Sequence, residues 1–379
     1  MISLIHNCRL LTPGEDVCLG SIGIDEVGVI STVSEGDTEG EHGSSYDAQG
    51  LYAAPGFIDI HTHGVNGCDL TDATLESVRK ISETKLREGV TTYLPTSLTL
   101  PPENLKEMAG AVAEYRKNEE FARTPSLHIE GPYINPNCLG AQNGEYVRLP
   151  DADEVLALNE IAPIGVVSLA VEMEGAVDFI AEMKRQGITT SCAHSAATYA
   201  QFSTARDAGL AHLTHYCNQM TPLHHREVGL VGAGLLDLEV MTEMICDTIH
   251  LCPDMIRIAF KHRPIEAIML VTDSMAASWL GDGEYEIGGL QVQVKAGQAR
   301  LASGALAGST LRYNEGLKNI AEITSLPLNQ LIATTAANQA RSLGFADRGR
   351  LQVGLLADVV LLNDDFEVKA VFVGGEQKI

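Results

Sequence analysis

Residues 55–64, PGFIDIHTHG, determine how the rest of the sequence is interpreted. The stretch begins as a short apolar run typical of a buried strand and ends in two histidines, His61 and His63, which are separated by one threonine. In a strand, the side chains at positions i and i+2 point to the same face, so these two imidazoles would lie side by side. The pattern predicts a shared metal ion or a shared pocket.

The same kind of unit recurs along the chain, as a short β-rich apolar run followed by a longer amphipathic stretch. Residues 72–89 predict one of the helices, with Asp72 as its N-cap and Gly89 just past its end. Alternating strands and helices indicate a parallel sheet, and eight such units predict an α/β fold with a closed (β/α)8 TIM barrel. The candidate strands lie near residues 56–63, 90–97, 126–131, 166–172, 188–195, 211–218, 239–247 and 267–274.

The two ends of the chain fall outside this repeat. The tail, residues 345–379, alternates like antiparallel strands, and with residues 1–54 it predicts a small β-sandwich domain built from both termini. The catalytic barrel would then span residues 55–344. A β insert near residues 283–304 is expected after the eighth strand.

Composition excludes several classes of partner. The chain has 379 residues and a formal net charge of −24, which makes nucleic acid or an anionic membrane surface an unsuitable partner. The N-terminal sequence lacks the pattern of a signal peptide, and no apolar run reaches the length of a membrane span, so we expect a cytoplasmic protein. Eight cysteines are scattered without a CxxC pair, which favours reduced, buried thiols.

Side chains with metal-binding chemistry gather at the predicted C-terminal ends of the strands, where barrel enzymes build their active sites. A single histidine or carboxylate is more often structural than metal-bound, but six at equivalent positions predict a metal centre. Imidazole and carboxylate ligands without a thiolate suit Zn²⁺, Fe²⁺, Mn²⁺ or Co²⁺ in a catalytic site. The six are His61, His63, Glu130, His194, His215 and Asp273.

Further motifs accompany these residues in order along the chain, among them LPTSLT, HIEGPYIN, AHSAAT, THYCNQM, VTDSMAA and LAGSTLRYNEGLKN. With them the sequence resembles the metal-dependent amidohydrolase superfamily and, within it, the N-acetylglucosamine-6-phosphate deacetylases. The resemblance covers nearly the whole chain. It implies hydrolysis of the N-acetyl group of a sugar phosphate in amino sugar catabolism, and a homodimer as the assembly.

The resemblance also implies roles for individual residues. Glu130, His194 and His215 would hold the metal ion that all members bind, and His61 with His63 would hold a second ion. Asp273 would be the catalytic acid/base. One or two divalent ions per chain are implied, with zinc as the first expectation and iron, manganese or cobalt as alternatives. The implied substrate-binding residues are Ala141, Gln142, Asn218, Gln219, Arg226, His250, Leu306, Ala307 and Gly308, with Arg226 in the segment that receives the phosphate.

One position departs from the family pattern. Gln142 stands where members usually carry a histidine that helps to polarise the substrate carbonyl. Its amide donates a hydrogen bond but carries no charge, so substrate identity stays open. The alternatives are an N-acetylgalactosamine-6-phosphate deacetylase, another amidohydrolase such as a cyclic-amide or nucleobase hydrolase, and a noncatalytic barrel. Glu130 in place of a carbamylated lysine argues against the cyclic-amide branch, and the complete ligand set argues against a noncatalytic barrel.

Overall fold

The computed structural model describes residues 2–36 and 44–379. Residues 1 and 37–43 of the predicted N-terminal segment lie outside the described residues. The strands are β1 (Leu4–Leu10), β2 (Cys18–Ile24), β3 (Ile30–Glu35), β4 (Ser45–Asp47), β5 (Tyr52–Pro55), β6 (Phe57–Thr62), β7 (Gly64–Val65), β8 (Cys68–Asp69), β9 (Val90–Pro95), β10 (Leu127–Glu130), β11 (Ile164–Leu169), β12 (Thr189–Cys192), β13 (His212–Leu213), β14 (Met241–Ile245), β15 (Ile268–Val271), β16 (Gly283–Ile287), β17 (Leu290–Lys295), β18 (Gln298–Leu301), β19 (Val359–Leu362), β20 (Val368–Val373) and β21 (Glu376–Gln377). The α-helices are α1 (Leu75–Leu86), α2 (Pro102–Tyr115), α3 (Ala152–Asn159), α4 (Ala176–Arg185), α5 (Tyr199–Ala208), α6 (Gly229–Leu236), α7 (Pro253–His262), α8 (Tyr313–Thr324), α9 (Leu328–Leu331) and α10 (Ala337–Leu343).

Eight parallel strands form the predicted TIM barrel, which is confirmed. Strands β10 to β15 pair in chain order as one parallel sheet, and β6 pairs with β9. Isolated parallel bridges join the two parts, from Thr96 to His128 on one side and from Thr62 to Ser274 on the other. The first and last strands of the barrel, β6 and β15, therefore meet through an isolated bridge instead of a regular ladder of hydrogen bonds. We call this junction the seam.

Several strands are shorter than predicted, by up to three residues at one end in β12 and β15, and two differences concern the site or a helix cap. The predicted strand at residues 211–218 is reduced to β13, and beyond it His215 and Cys217 have positive φ angles of 31° and 81°, outside the extended region of a regular strand. Helix α1 is capped by Thr74, whose hydroxyl accepts from the Ser77 N–H at 3.1 Å. Asp72 as the N-cap was therefore wrong, since it ends a short 3-10 turn that precedes the helix.

The predicted β domain from both termini is confirmed, and the structure refines the sandwich to one hydrogen-bonded sheet. Its strand order is β21, β20, β19, β5, β1, β2, β3, with β4 paired to β1. The sheet has an apolar cluster of its own, to which the N-terminal segment contributes Ile5 and Ile22 and the tail contributes Leu361 and Phe372. The domain limits at residues 54 and 345 stay a prediction.

Strands β16, β17 and β18 form a separate antiparallel sheet between β15 and α8. A large apolar cluster joins the barrel to its helices; it includes Phe57 of β6 and Val78, Ile81 and Leu86 of α1. All eight cysteines are in the thiol form, without a disulfide among the described residues. Within residues 2–36 and 44–379, every helix is too short or too polar to cross a bilayer.

Candidate active site

The six predicted ligands converge at the C-terminal mouth of the barrel in two groups of three. We call Glu130, His194 and His215 the first trio, and His61, His63 and Asp273 the second trio. In each trio, one ligand atom per residue lies within 4.8 Å of the other two, and all six residues are buried.

The first trio is organised around one carboxylate oxygen. Glu130 Oε1 lies 3.1 Å from His215 Nε2 and 3.3 Å from His194 Nε2, and the two Nε2 atoms are 3.2 Å apart. The Nδ1 of His194 lies 2.8 Å from the Cys138 carbonyl, which only accepts hydrogen bonds. The Nδ1 of His194 is therefore the protonated nitrogen, and its Nε2 presents a lone pair to the centre of the trio.

The second trio lies beside the first and shares Glu130 with it. Asp273 Oδ1 is 3.1 Å from His63 Nε2 and 3.5 Å from His61 Nε2, while the two Glu130 oxygens are 3.4 and 3.6 Å from those nitrogens. His61 Nε2 is buried and makes no hydrogen bond within the described part of the chain. A divalent cation would satisfy that nitrogen, so the donor set fits an ion at each trio.

Three of the six ligands have a strained backbone. His194, His215 and Asp273 have φ angles of 46°, 31° and 50°, a region that L residues enter at a cost of about 1–3 kcal/mol each. The Asp273 carbonyl accepts from the Ser309 N–H at 2.7 Å, and a Cβ on Gly308 would lie 2.9 Å from the same oxygen. Glycine at position 308 thus permits the contact that holds Asp273 in this conformation.

The charges at the mouth stabilise one another. Burial acts to raise the pKa of Glu130, but His61 and the other imidazoles outweigh it and hold that pKa well below the usual range. Burial likewise acts to raise the pKa of Asp273, and His61 and His63 lower it to about 2. Both carboxylates are therefore ionised near neutral pH, which suits a cation site.

A buried ion network fixes the barrel seam below the second trio. Lys85 Nζ of α1 lies 3.0 Å from Asp59 Oδ2 and 3.1 Å from Glu88 Oε2, and all three side chains are fully buried. The same nitrogen lies 3.1 Å from the hydroxyls of Thr272 and Ser274, the two neighbours of Asp273. We call these five residues the seam network; it ties β6, the strand that contains His61, to the segment of Asp273.

A cavity of about 280 Å³ opens above both trios. Among the predicted substrate-binding residues, seven line it: Ala141, Gln142, Asn218, Gln219, His250, Leu306 and Gly308. Ala307 is fully buried and does not line it, and Arg226 lies outside it in an exposed loop, 2.8 Å from His225.

The model of the amidohydrolase family matches residues 52–378. The chain belongs to the amidohydrolase family. Among individual proteins, it is similar to N-acetylglucosamine-6-phosphate deacetylase of Bacillus subtilis, with 35% identity over 96% of this chain and 94% of the relative. It is 36% identical to N-acetylgalactosamine-6-phosphate deacetylase of Escherichia coli O157:H7, over 85% of this chain and 86% of the relative.

A solved structure resembles this amidohydrolase over its full length. It is that of a mutant N-acetyl-D-glucosamine-6-phosphate deacetylase from Mycobacterium smegmatis in complex with N-acetyl-D-glucosamine-6-phosphate, with a TM-score of 0.92, 29% identity and 99% coverage of both chains. The likeness extends beyond the barrel and includes the terminal sheet.

Gln142 of this amidohydrolase contacts the first trio directly. Its Nε2 donates to Glu130 Oε2 at 2.7 Å, and its Oε1 accepts from the Thr99 N–H at 2.7 Å. Because an N–H can bond only the oxygen of the amide, the Thr99 contact fixes which way the amide points. One of the two N–H groups of Gln142 is thereby committed to a ligand carboxylate.

Sequence analysis missed Arg300, Glu243 and Lys85. Among the described residues that line the cavity, only Arg300 carries a permanent positive charge. Its backbone forms an antiparallel bridge with that of Leu306. A hairpin predicted with its turn at residues 302–305, ASGA, would therefore have placed Arg300 beside Leu306, a predicted substrate-binding residue. Glu243 is the one charged residue of its strand, MTEMI. Its burial depends on long-range contacts that local periodicity does not show.

Proposed function

We propose that this amidohydrolase removes the N-acetyl group of N-acetylglucosamine 6-phosphate, giving glucosamine 6-phosphate and acetate. The observation that carries the proposal is the cavity that opens on two buried ligand trios and on the Asp273 carboxylate. Full-length similarity to N-acetylglucosamine-6-phosphate deacetylases supports the choice of substrate.

We propose one or two divalent ions per chain, zinc before iron, manganese or cobalt. Glu130, His194 and His215 would hold one ion, and His61, His63 and Asp273 the other. A bound divalent ion supplies Lewis acidity and lowers the pKa of water toward neutrality. The imidazole and carboxylate donors, without a thiolate, are of the type that catalytic zinc sites use.

Asp273 would move the proton in the reaction. Its carboxylate accepts a proton from the water whose oxygen attacks the acetamide carbon. It then delivers that proton to the amine nitrogen as the C–N bond breaks. The low pKa of Asp273, about 2, keeps it in the accepting form at neutral pH. Gln142 would offer its second N–H to the substrate oxygen, while its first holds Glu130.

The phosphate requires positive charge in a strongly acidic chain. Arg300 supplies it within the cavity of one chain. Arg226 is exposed outside that cavity, so its proposed phosphate contact fits a homodimer in which the loop of one subunit completes the cavity of the other. A cytoplasmic location stays a prediction.

The alternative substrate is N-acetylgalactosamine 6-phosphate. Gln142 at the usual histidine position favours it, as does the similarity to the Escherichia coli enzyme. The two substrates differ only in the configuration at one hydroxyl group, so the reaction and the metal centre would be the same.

Acetate release tests the proposal. Purified protein is stripped with a chelator, reloaded with Zn²⁺, Mn²⁺ or Fe²⁺, and offered both epimers with and without the 6-phosphate. We expect metal-dependent acetate release, fastest with N-acetylglucosamine 6-phosphate. Faster release from the galactosamine epimer would select the alternative, and no release from any compound with any metal would refute the proposed function.

A further inference from the structure

Glu243 of β14 lies directly behind a ligand of the second trio. Its side chain is fully buried, and its Oε2 is 2.9 Å from the Nδ1 of His61. His61 in turn directs its Nε2 toward Glu130 and Asp273, at 3.6 and 3.5 Å. One imidazole thus connects Glu243 with the proposed second ion site.

The hydrogen bond selects the nitrogen that can bind an ion. When Nε2 of a histidine is a ligand, the hydrogen resides on Nδ1 and needs an acceptor, and a carboxylate there fixes the ring and makes it a stronger donor to the ion. Among the four ligand histidines, His61 is the one whose outer nitrogen faces a carboxylate. His63 and His194 have the carbonyls of Thr96 and Cys138 instead.

His128 does not compete with Glu243 for His61. Its ring packs against that of His61 with centroids 4.7 Å apart, but its own nitrogens are satisfied by the Ile60 carbonyl at 2.8 Å and the Ser168 hydroxyl at 2.7 Å. The cluster of His61, His128 and Glu243 is therefore a support for His61 rather than a third ion site.

Burial of Glu243 at this position is energetically unfavourable. Its second oxygen, Oε1, is buried without a hydrogen bond in the described part of the chain. A buried carboxylate with an unsatisfied oxygen destabilises a fold, and an apolar side chain of similar size would not. The fold alone gives no reason for a carboxylate at this position, whereas the ring of His61 does.

We infer that Glu243 is a positioning residue that orients His61 for a divalent ion at the second trio. The inference rests on the proposed metal centre, but not on the identity of the sugar. It assigns to β14 a part in an ion site that the motifs place on other strands.

Ion binding measured without substrate tests the inference. Stripped protein is titrated with Zn²⁺ against a chromophoric chelator. For Glu243→Leu we expect the affinity at the second trio to fall about 10–100-fold while the first ion is unchanged. Glu243→Gln keeps an acceptor without its charge, so its loss should be smaller. The matched control is Asp358→Asn, at a buried carboxylate of the terminal sheet with an unsatisfied oxygen, which should leave both affinities unchanged.

A double-mutant cycle separates positioning from a general effect on folding. In a His61→Asn background, Glu243→Leu should cause no further loss, because the ring on which it acts is absent. Melting temperatures show whether each variant folds. If Glu243→Leu does not fold, the same cycle is measured with Glu243→Gln.

Three results would overturn the inference: the unmodified chain binds a single ion, Glu243→Leu lowers the affinity equally at both ions, or the loss persists without His61. Two ions without acetate release would refute the proposed function and leave this inference standing.

Discussion

The two trios occupy one barrel mouth but are held by different means. In the first trio, His194 and His215 lie two residues beyond their strands, in left-handed backbone conformations, and His194 is oriented by a main-chain carbonyl. In the second trio, His61 lies within β6 and is oriented by a buried carboxylate, and the seam network holds the adjoining strands. Asp273 of the second trio also has a left-handed backbone and His63 faces the Thr96 carbonyl, so the two trios differ in the support that His61 receives from buried charge. Substitutions remote from the cavity should affect the two differently.

Asp273→Asn should have the largest effect. The amide keeps the shape of the carboxylate but cannot accept and deliver the proton, so turnover should fall by about 10²–10⁴-fold. Acetate release with saturating metal measures this, and elemental analysis should show the first trio still loaded. Turnover close to that of the unmodified chain would mean that the proton is carried by another group.

Lys85→Met should destabilise the seam that supports the second trio. The change leaves Asp59 and Glu88 buried without their cation, which we expect to reduce the free energy of unfolding by about 3–5 kcal/mol. The control is Lys117→Met, at an exposed pair with Glu114 that should contribute less than about 1 kcal/mol. Denaturant unfolding measures both. Equal losses in the two variants would show that the seam network is not a special support.

Arg300→Gln should change substrate binding and leave both trios intact. A charged hydrogen bond to phosphate contributes about 1.5–3 kcal/mol, so KM for the sugar phosphate should rise at least about tenfold with kcat and metal content unchanged. Lys295→Gln is the control, because Lys295 is exposed on the same small sheet but does not line the cavity. If KM were unchanged, the phosphate contact would be assigned to Arg226 instead of Arg300.

Of the two trios, Gly140→Ala should affect only the first, with the smallest effect of this series. Gly140 has a φ of 57°, and a Cβ there would lie 3.1 Å from Cγ of Gln219, which lines the cavity, and 3.3 Å from Cε1 of His194. The left-handed conformation costs an L residue about 1–2 kcal/mol. Because the new methyl group also contacts the His194 ring, ion affinity at the first trio should fall several-fold. Gly14→Ala has the same kind of backbone, with φ of 80°, and no atom within 4 Å of the new Cβ. Chelator competition should show no change for that control.

The sequence was sufficient to predict the barrel and the convergence of the six candidate ligands, because strand period and strand ends are local signals. The positions of His61 and Glu130 at the ends of apolar runs are visible without any tertiary information. The supports of those ligands are not, since the contacts of Lys85 with Ser274 and of Glu243 with His61 join residues 189 and 182 positions apart. The left-handed turns at His194 and His215 were also missed, because a histidine rarely adopts that conformation and strand propensity extends past it.

Anomalous diffraction from crystals of the zinc-loaded chain tests the central claim most directly. We predict two zinc peaks at the barrel mouth, one in contact with Glu130, His194 and His215 and the other with His61, His63 and Asp273. A single peak at the first trio, or peaks away from these six side chains, would contradict the account of two trios held by different means.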